Sequence, residues 1–287
     1  MTVVIGVHRS NPSLYHLSRL GYAEEELAAL GKTVTWHPYT DGVRTGALLA
    51  EGTIDFGGTG STPPITAQAA GHDIVYTAVS APRPDHGALL VPEDSPVRTV
   101  ADLKGGTVHL AVGSWQTHLV AKALDDAGLS YTTDITPVRG NSGSEEKLRS
   151  GAIAAWVAQG AELVAARRAG GLRTLIRTGE VISDRSVFFT RRDLAEQRPE
   201  VVEALTRALR RADAWAAAHP REAAETAAAD QGGTVDDWET ALRALPWEIE
   251  EVTEAFIAEQ QLAADVFHRT GFIERAVTVA DALPRKA

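Results

Sequence analysis

The chain has 287 residues, enough for one large domain or for two of about 140 residues each. Its apolar content of 44% and charged content of 23% are typical of a globular protein with a sizeable core. A net charge of −10, with no Lys/Arg cluster larger than a pair, argues against a nucleic-acid or anionic-membrane surface. The absence of cysteine excludes disulfides, thiolate nucleophiles and thiolate metal sites.

The N-terminus carries no visible targeting segment. No apolar run in the chain reaches the roughly 18 residues of a membrane span. The sequence enters an apolar strand at once, without the basic and apolar regions of a secretory leader. Two expectations stay open. Either the protein lies outside the cytoplasm and its leader has been removed from this sequence, or it is a cytoplasmic protein.

The first 70 residues alternate between strand and helix patterns. Residues 3–7 form a continuous apolar run, which is typical of a strand buried on both faces. Leu14, Leu17 and Leu20 then recur at helical spacing, and two further strand–helix pairs follow by residue 70. This order predicts parallel pairing with right-handed crossovers, and therefore an α/β fold.

Residues 54–64 combine a short buried strand, a glycine-rich turn and a helix start. Ser61 or Thr62 suits the N-cap, and Pro63 and Pro64 suit the first helical turn. Hydroxyl groups beside the free N–H groups of a helix start could bind a small anion. An ordinary capped turn would give the same pattern, so the stretch alone leaves both interpretations open.

A second α/β block follows a proline-rich joint at residues 81–87, which we interpret as a crossing between lobes. A buried strand at residues 108–112 leads into Gly113 and Ser114, which open a helix just as residues 60–62 do. The strand at residues 135–138 leads into a third such start near Asn141, and the strand at residues 153–157 contains Trp156. From Pro199 onward the pattern is almost wholly helical. We therefore expect two lobes with a helical C-terminal tail.

Several of these stretches resemble the solute-binding proteins of ABC importers for aliphatic sulfonates, taurine and nitrate. The matching segments extend over nearly the whole chain: residues 55–64, 67–71, 89–91, 95–96, 100–105, 113–114, 148–156 and 260–265. The resemblance implies a periplasmic-binding-protein type II fold, in which each lobe is a mostly parallel sheet flanked by helices. It implies lobe 1 at residues 1–84 and 186–287, lobe 2 at residues 85–185, and a ligand cleft between them.

The resemblance also implies what the cleft binds. We expect a small organic anion, specifically an aliphatic sulfonate, delivered to an ABC permease by a monomeric protein if the protein is exported. Ser61, Thr62 and Ser114 are expected to contact the anionic head from opposite lobes. The further candidate residues are two tryptophans that could wall the cleft and four polar side chains: Trp115, Trp156, Arg9, Asn11, Gln116 and Asn141. Replacing a contacting hydroxyl should cost about 1.5–3 kcal/mol of binding free energy.

Two departures from the family pattern leave the identity of the ligand open. An acidic residue and a proline often follow the tryptophan strand in this family, whereas residues 159–162 here read Gln-Gly-Ala-Glu. The loop at residues 8–11 also carries more cation and histidine than the family leads us to expect. Both segments should lie near the non-anionic end of the ligand.

The alternative function is a cytoplasmic enzyme on the same fold that acts on a small sulfur- or nitrogen-containing substrate. Relatives that remove sulfinate from an aromatic ring depend on a cysteine in the first strand-to-helix loop, where this chain has Ser10. His8, His86 and His118 have no metal-binding spacing, and no phosphate-loop or dinucleotide motif occurs. We therefore expect a binding protein without metal or cofactor and without catalytic residues.

Overall fold

A computed structural model describes residues 1–140 and 143–285. Over these residues the chain forms eleven strands: β1 Thr2–His8, β2 Thr33–Tyr39, β3 Phe56–Thr59, β4 Ile74–Ser80, β5 Gly87–Pro92, β6 Thr107–Leu110, β7 Thr136–Arg139, β8 Ala155–Gln159, β9 Leu172–Arg177, β10 Val187–Arg191 and β11 Ile249–Glu250. It also forms twelve α-helices: α1 Pro12–Leu20, α2 Tyr22–Ala28, α3 Thr45–Ala50, α4 Thr62–Ala69, α5 Trp115–Asp126, α6 Ser144–Arg149, α7 Gly160–Ala169, α8 Arg192–Gln197, α9 Pro199–Ala218, α10 Pro220–Gln231, α11 Val235–Arg243 and α12 Glu254–Arg269. Short 3-10 turns lie at Gly42–Arg44, Val100–Leu103, Thr178–Glu180 and Val279–Ala282.

The strands form two separate sheets, so the two-lobed α/β fold predicted from the sequence is confirmed. The first sheet has the order β11-β4-β10-β3-β1-β2 and the second the order β7-β6-β8-β5-β9. The chain leaves the first sheet after Ser80 and returns to it at Val187. The lobe boundaries at residues 84/85 and 185/186 stay a prediction.

Both sheets are mixed, which refines the expectation of mostly parallel sheets. β1 pairs in parallel with β2 and β3, and β6 with β7 and β8. The strands beside the two crossings, however, pair antiparallel: β10 with β3 and β4, and β5 with β8 and β9. The alternation of strands and helices predicts the parallel part. It does not predict strands that enter a sheet directly from the other lobe.

The helix starts that flank the strand ends follow ordinary capping chemistry. The side chain of Asn11 accepts a hydrogen bond from the N–H of Leu14 and caps α1. Ser114 accepts from the N–H of Gln116 and caps α5. These two caps place Asn11 and Ser114 at the helix ends that face the space between the sheets.

The C-terminal region packs against both sheets rather than forming a separate tail. Helix α9 covers one face of the first sheet together with α1 and α2, around Leu14, Leu205 and Phe188. Helix α12 packs against α4 and α5, so one apolar core continues from the first sheet to the second. The region is not wholly helical, because β11 adds a two-residue strand to the edge of the first sheet. In the described part of the chain, every helix is too short or too polar to cross a membrane.

Candidate ligand-binding site

Two adjoining cavities lie between the sheets. The first, the smaller cavity, has a volume of about 240 Å³ and is lined by the ends of β1, β3 and β6, the start of α5 and both crossings. The second, the larger cavity, has a volume of about 420 Å³ and lies among α1, α7, α10 and α11. The two share four lining residues, Ser10, His86, Gln159 and Glu162, so they form one continuous cleft.

An arginine from the first crossing is the most buried cation of the smaller cavity. Arg83 is 4% exposed, and its guanidinium donates to Asp184 Oδ1 and to Ser186 Oγ, each at 3.1 Å. Its Nε is buried and has no hydrogen-bond partner within residues 1–140 and 143–285. Asp184 and Ser186 belong to the second crossing, so Arg83 ties the two connections between the lobes together.

The charges beside Arg83 are set by burial and by one another. Burial acts to raise the pKa of Asp184, but the Arg83 charge and the hydrogen bond with His86 outweigh it and hold that pKa below its usual range. Burial and the Arg83 charge lower the pKa of His86, whose Nδ1 lies 2.8 Å from Asp184 Oδ2. At neutral pH the group therefore consists of a guanidinium, a carboxylate and a neutral imidazole, all within the wall of the cavity.

The start of α5 supplies polar groups from the opposite lobe. Ser114 and Gln116 line the smaller cavity, and Gln116 Oε1 accepts a hydrogen bond from the N–H of Ala111. Gln159 Oε1 accepts from both Trp115 Nε1 and Gln116 Nε2, at 3.1 and 2.9 Å. These bonds fix the first turn of α5, whose dipole favours negative charge at this end.

Trp115 packs closely against the first lobe. A Cβ atom at Gly60 would lie 2.8 Å from Trp115 Cβ, so only glycine permits this approach of the β3–α4 turn. The ring of His86 lies 5.3 Å from the indole on another side. Trp115 therefore forms part of the wall of the smaller cavity and part of the contact between lobes.

Ser61 and Thr62 bond to the second lobe instead of lining either cavity. Ser61 Oγ lies 3.0 Å from His118 Nδ1, and Thr62 Oγ1 donates to the carbonyl of Ser114 at 2.7 Å. Ser61 occupies the N-cap position of α4, but its side chain makes no capping bond. Their neighbours Gly60 and Pro63 do line the smaller cavity. Contact of Ser61 and Thr62 with an anion stays a prediction.

The other predicted residues divide between the cavities. Asn11, Ser114, Trp115 and Gln116 come together around the smaller cavity, and Asn11 Nδ2 donates to Ser186 Oγ at 3.3 Å. Arg9 and Trp156 line the larger cavity, Arg9 with an exposed side chain and Trp156 with 6% exposure. Asn141 lies outside the described residues.

Several residues that line the smaller cavity are not predicted from the sequence, among them Arg83, Gln159 and Glu162. The signals were present: Arg83 stands between two prolines in the segment interpreted as a crossing, and Gln159 and Glu162 stand where the sequence departs from the family pattern. Within the described ranges no group of three or more His, Asp or Glu side chains could hold a metal ion. The expected absence of a metal and a cofactor stays a prediction.

Comparisons with known proteins agree with this architecture. Residues 22–223 match the family model described as NMT1/THI5 like. The chain is 31% identical over 251 residues to a putative aliphatic sulfonates-binding protein of Escherichia coli (strain K12), covering 86% of this chain and 77% of that protein. These matches confirm the resemblance inferred from the sequence.

Two solved structures are similar over the whole chain. The alkanesulfonate-binding protein SsuA from Xanthomonas axonopodis pv. citri, bound to MOPS, has a TM-score of 0.86 at 28% identity, covering 99% of this chain and 98% of that one. The periplasmic aliphatic sulphonate binding protein SsuA from Escherichia coli has the same TM-score and identity, covering 100% of this chain and 92% of that one.

Proposed function

The chain belongs to the NMT1/THI5-like family, and we propose that it binds an aliphatic sulfonate in the cleft between its lobes for delivery to an ABC importer. The observation that carries this proposal is the donor set of the smaller cavity. A buried guanidinium, the Asn11 amide and the Ser114 hydroxyl line one space of about 240 Å³ at the start of α5.

A sulfonate suits these donors because of its shape and charge. Its three oxygens carry one negative charge at any pH in the physiological range, so they accept hydrogen bonds without giving any. Hydrogen bonds to a charged group are shorter and about twice as strong as neutral ones. Arg83 Nε is a buried donor without a protein partner in the described chain, and an anion oxygen would satisfy it.

The charge balance around Arg83 explains how an acidic protein can bind an anion. Asp184 neutralises the Arg83 guanidinium, so attraction depends on hydrogen-bond donors and on the α5 dipole more than on net charge. Binding of this kind favours a weakly hydrated organic anion over a strongly hydrated one such as sulfate, because the protein offers little net charge in return for the lost water.

Donors from both lobes line the cavity, so a bound anion would stabilise the closed arrangement. Asn11 belongs to the first sheet's side of the cleft and Ser114 to the second. Only the closed form brings both sets of donors to one ligand. The closed, loaded protein is the form that an ABC permease would recognise, with the chain acting as a monomer outside the cytoplasmic membrane.

Calorimetry tests the proposal directly. We expect ethanesulfonate and propanesulfonate to bind more tightly than sulfate or nitrate, and taurine should be measured alongside them. A metal chelator should leave the affinity for these sulfonates unchanged. No binding of any sulfonate, or binding abolished by the chelator, would contradict the proposal.

A matched pair of variants tests the part played by Arg83. Arg83→Lys keeps a charge beside Asp184 but loses the planar fork, so we expect the affinity for propanesulfonate to fall about ten-fold. Arg98→Lys, an exposed control outside both cavities, should bind like the unmodified protein. Equal affinities of the two variants for propanesulfonate would show that Arg83 does not contact the bound anion.

A further inference from the structure

Helices α10 and α11 form a hairpin with a small apolar core of its own. The buried side chains of that core are Ala223, Ala224 and Leu242. It is separate from the cluster that packs between α9 and the first sheet. The chain leaves helical geometry on both sides of the hairpin, at His219 and at Trp247, whose φ is 48°. Such breaks beside a separately packed unit are places where a hinge motion can be absorbed.

A buried carboxylate fastens this hairpin to the second lobe. Helix α11 packs against α7, and Arg168 of α7 donates two hydrogen bonds to Asp237, at 2.6 and 2.9 Å. Asp237 is 3% exposed, and the Thr234 hydroxyl donates to Oδ2 of the same carboxylate at 2.6 Å. Within residues 1–140 and 143–285, Asp237 forms no other ion pair. Without Arg168 its charge would be buried with no counter-charge, which favours separation of α11 from α7.

The hairpin forms one wall of the larger cavity. Asp237 and Trp238 of α11 line this cavity together with Gln231 of α10, and Glu162 of α7 lines it as well. The larger cavity therefore lies between the hairpin and the second lobe, and it is continuous with the smaller cavity. A ligand in the cleft is enclosed by the hairpin for as long as α11 stays on α7.

A second ion pair joins the lobes at the smaller cavity, but its geometry is weaker. Arg139 and Asp41 approach each other to 3.6 Å, with side chains that are 56% and 41% exposed. Exposed pairs of this kind contribute little to stability. The Arg168–Asp237 pair is bidentate and its carboxylate is buried, so it is the stronger of the two. Separation of the lobes therefore depends more on the contact between α11 and α7.

We propose that residues 220–243 act as a clasp, which must release α7 before a ligand can enter or leave the cleft. The proposal concerns the rate of ligand exchange, whatever the ligand, and only the choice of a sulfonate as probe rests on the function proposed above. The same release precedes both entry and departure. A weaker clasp therefore raises both rate constants and leaves the equilibrium affinity nearly unchanged.

Two variants at neighbouring positions of α7 test the clasp. Arg168→Gln removes the charged fork from Asp237, and Arg168 lies outside the lining of both cavities. Arg167→Gln is the control, because Arg167 is exposed one position away. Stopped-flow tryptophan fluorescence with propanesulfonate as the probe gives the association and dissociation rate constants. We expect both to rise about ten-fold in Arg168→Gln, as the loss of a hydrogen bond to a charged group would give, with Kd within about two-fold of the unmodified protein.

Hydrogen exchange provides a second measurement that needs no ligand. The amides of residues 235–243 should exchange about ten-fold faster in Arg168→Gln than in Arg167→Gln, with no difference in the two sheets. Equal exchange or equal rate constants in the two variants would overturn the inference, as would a ten-fold weaker affinity with unchanged association. If the unmodified protein failed to bind propanesulfonate, the proposed function would be overturned instead, and the exchange comparison would still decide whether Arg168 holds α11 on α7.

Discussion

The Arg83–Asp184 pair offers the sharpest prediction about how the two crossings are held together. Both residues are less than 5% exposed, two nitrogen–oxygen distances between them are 3.1 Å, and His86 adds a third bond to the same carboxylate. Removing one partner of a buried ion pair typically costs about 3–5 kcal/mol, because the remaining charge stays buried without compensation. Asp184→Asn should therefore lower the free energy of unfolding substantially.

Asparagine is the right replacement because the backbone of Asp184 has a φ of 44°. This left-handed conformation is tolerated by Asn and Asp better than by other non-glycine residues, so the substitution changes the charge without adding backbone strain. The asparagine oxygen can still accept one hydrogen bond from Arg83. We therefore expect the lower end of the range, about 3 kcal/mol.

Urea denaturation at pH 7 without ligand measures the effect, and Asp85→Asn is the control because Asp85 is exposed in the same crossing. The pKa of Asp184 is lower in the folded protein than in the unfolded chain, where it is near 3.8. Asp184 therefore contributes fully to the free energy of unfolding above pH 3.8, and this contribution is lost only as the pH falls through the pKa of the folded protein. Saturating propanesulfonate should restore part of the loss, since an anion can take the place of the carboxylate beside Arg83. A loss below about 1 kcal/mol, or one equal to that of Asp85→Asn, would show that the buried Arg83–Asp184 pair does not hold the two crossings together.

Three further predictions concern the contacts between α4 and α5. Ser61→Ala and Ser114→Ala should each fold normally and bind propanesulfonate about ten-fold more weakly by calorimetry, and unchanged affinity in both would contradict the predicted anion contacts. Thr62→Val removes the 2.7 Å bond to the Ser114 carbonyl and should lower the free energy of unfolding by about 1 kcal/mol in urea. Burial lowers the pKa of His118 from 6.5 to about 4, so stability should decline as the pH falls from 6.5 to 4, by up to about 3 kcal/mol. His118→Gln should make that decline shallower without abolishing it, because burial also lowers the pKa of His16 to about 4. An unchanged slope would show that His118 does not contribute to the decline.

The sequence predicts the fold because its strongest signals are local. Apolar runs followed by helix starts give the alternation of strands and helices, and the Gly113–Ser114 start appears in the structure with Ser114 as the cap of α5. The edge strand β11 was not predicted, since a two-residue strand has too short a pattern to recognise. The antiparallel pairs were missed for a related reason: they depend on which sheet the chain enters after each crossing.

The site was harder to predict because its key contacts join distant parts of the chain. Arg83 and Asp184 are 101 positions apart, and no local pattern connects them. The sequence also does not predict the direction in which a side chain at a helix start points. Ser61 and Thr62 stand at the predicted helix start, yet their hydroxyls reach His118 and the Ser114 carbonyl across the lobe contact.

The larger cavity depends on the packing of the C-terminal helices. Helix α11 lies against α7 of the second lobe, and the bidentate Arg168–Asp237 pair fastens them. The sequence showed an amphipathic, alanine-rich region without indicating which lobe it would cover. Its role as a wall of the cleft follows only from the three-dimensional arrangement.

A crystal structure with bound propanesulfonate, collected for sulfur anomalous scattering, would locate the sulfonate in the protein directly. The chain has one methionine and no cysteine, so Met1 holds the protein's single sulfur atom and a ligand sulfur would be unmistakable. We expect one further anomalous peak in the smaller cavity, at a distance that lets the sulfonate oxygens accept hydrogen bonds from Arg83 and Ser114. A ligand peak outside that cavity, or no ligand peak from crystals grown in saturating propanesulfonate, would contradict this expectation.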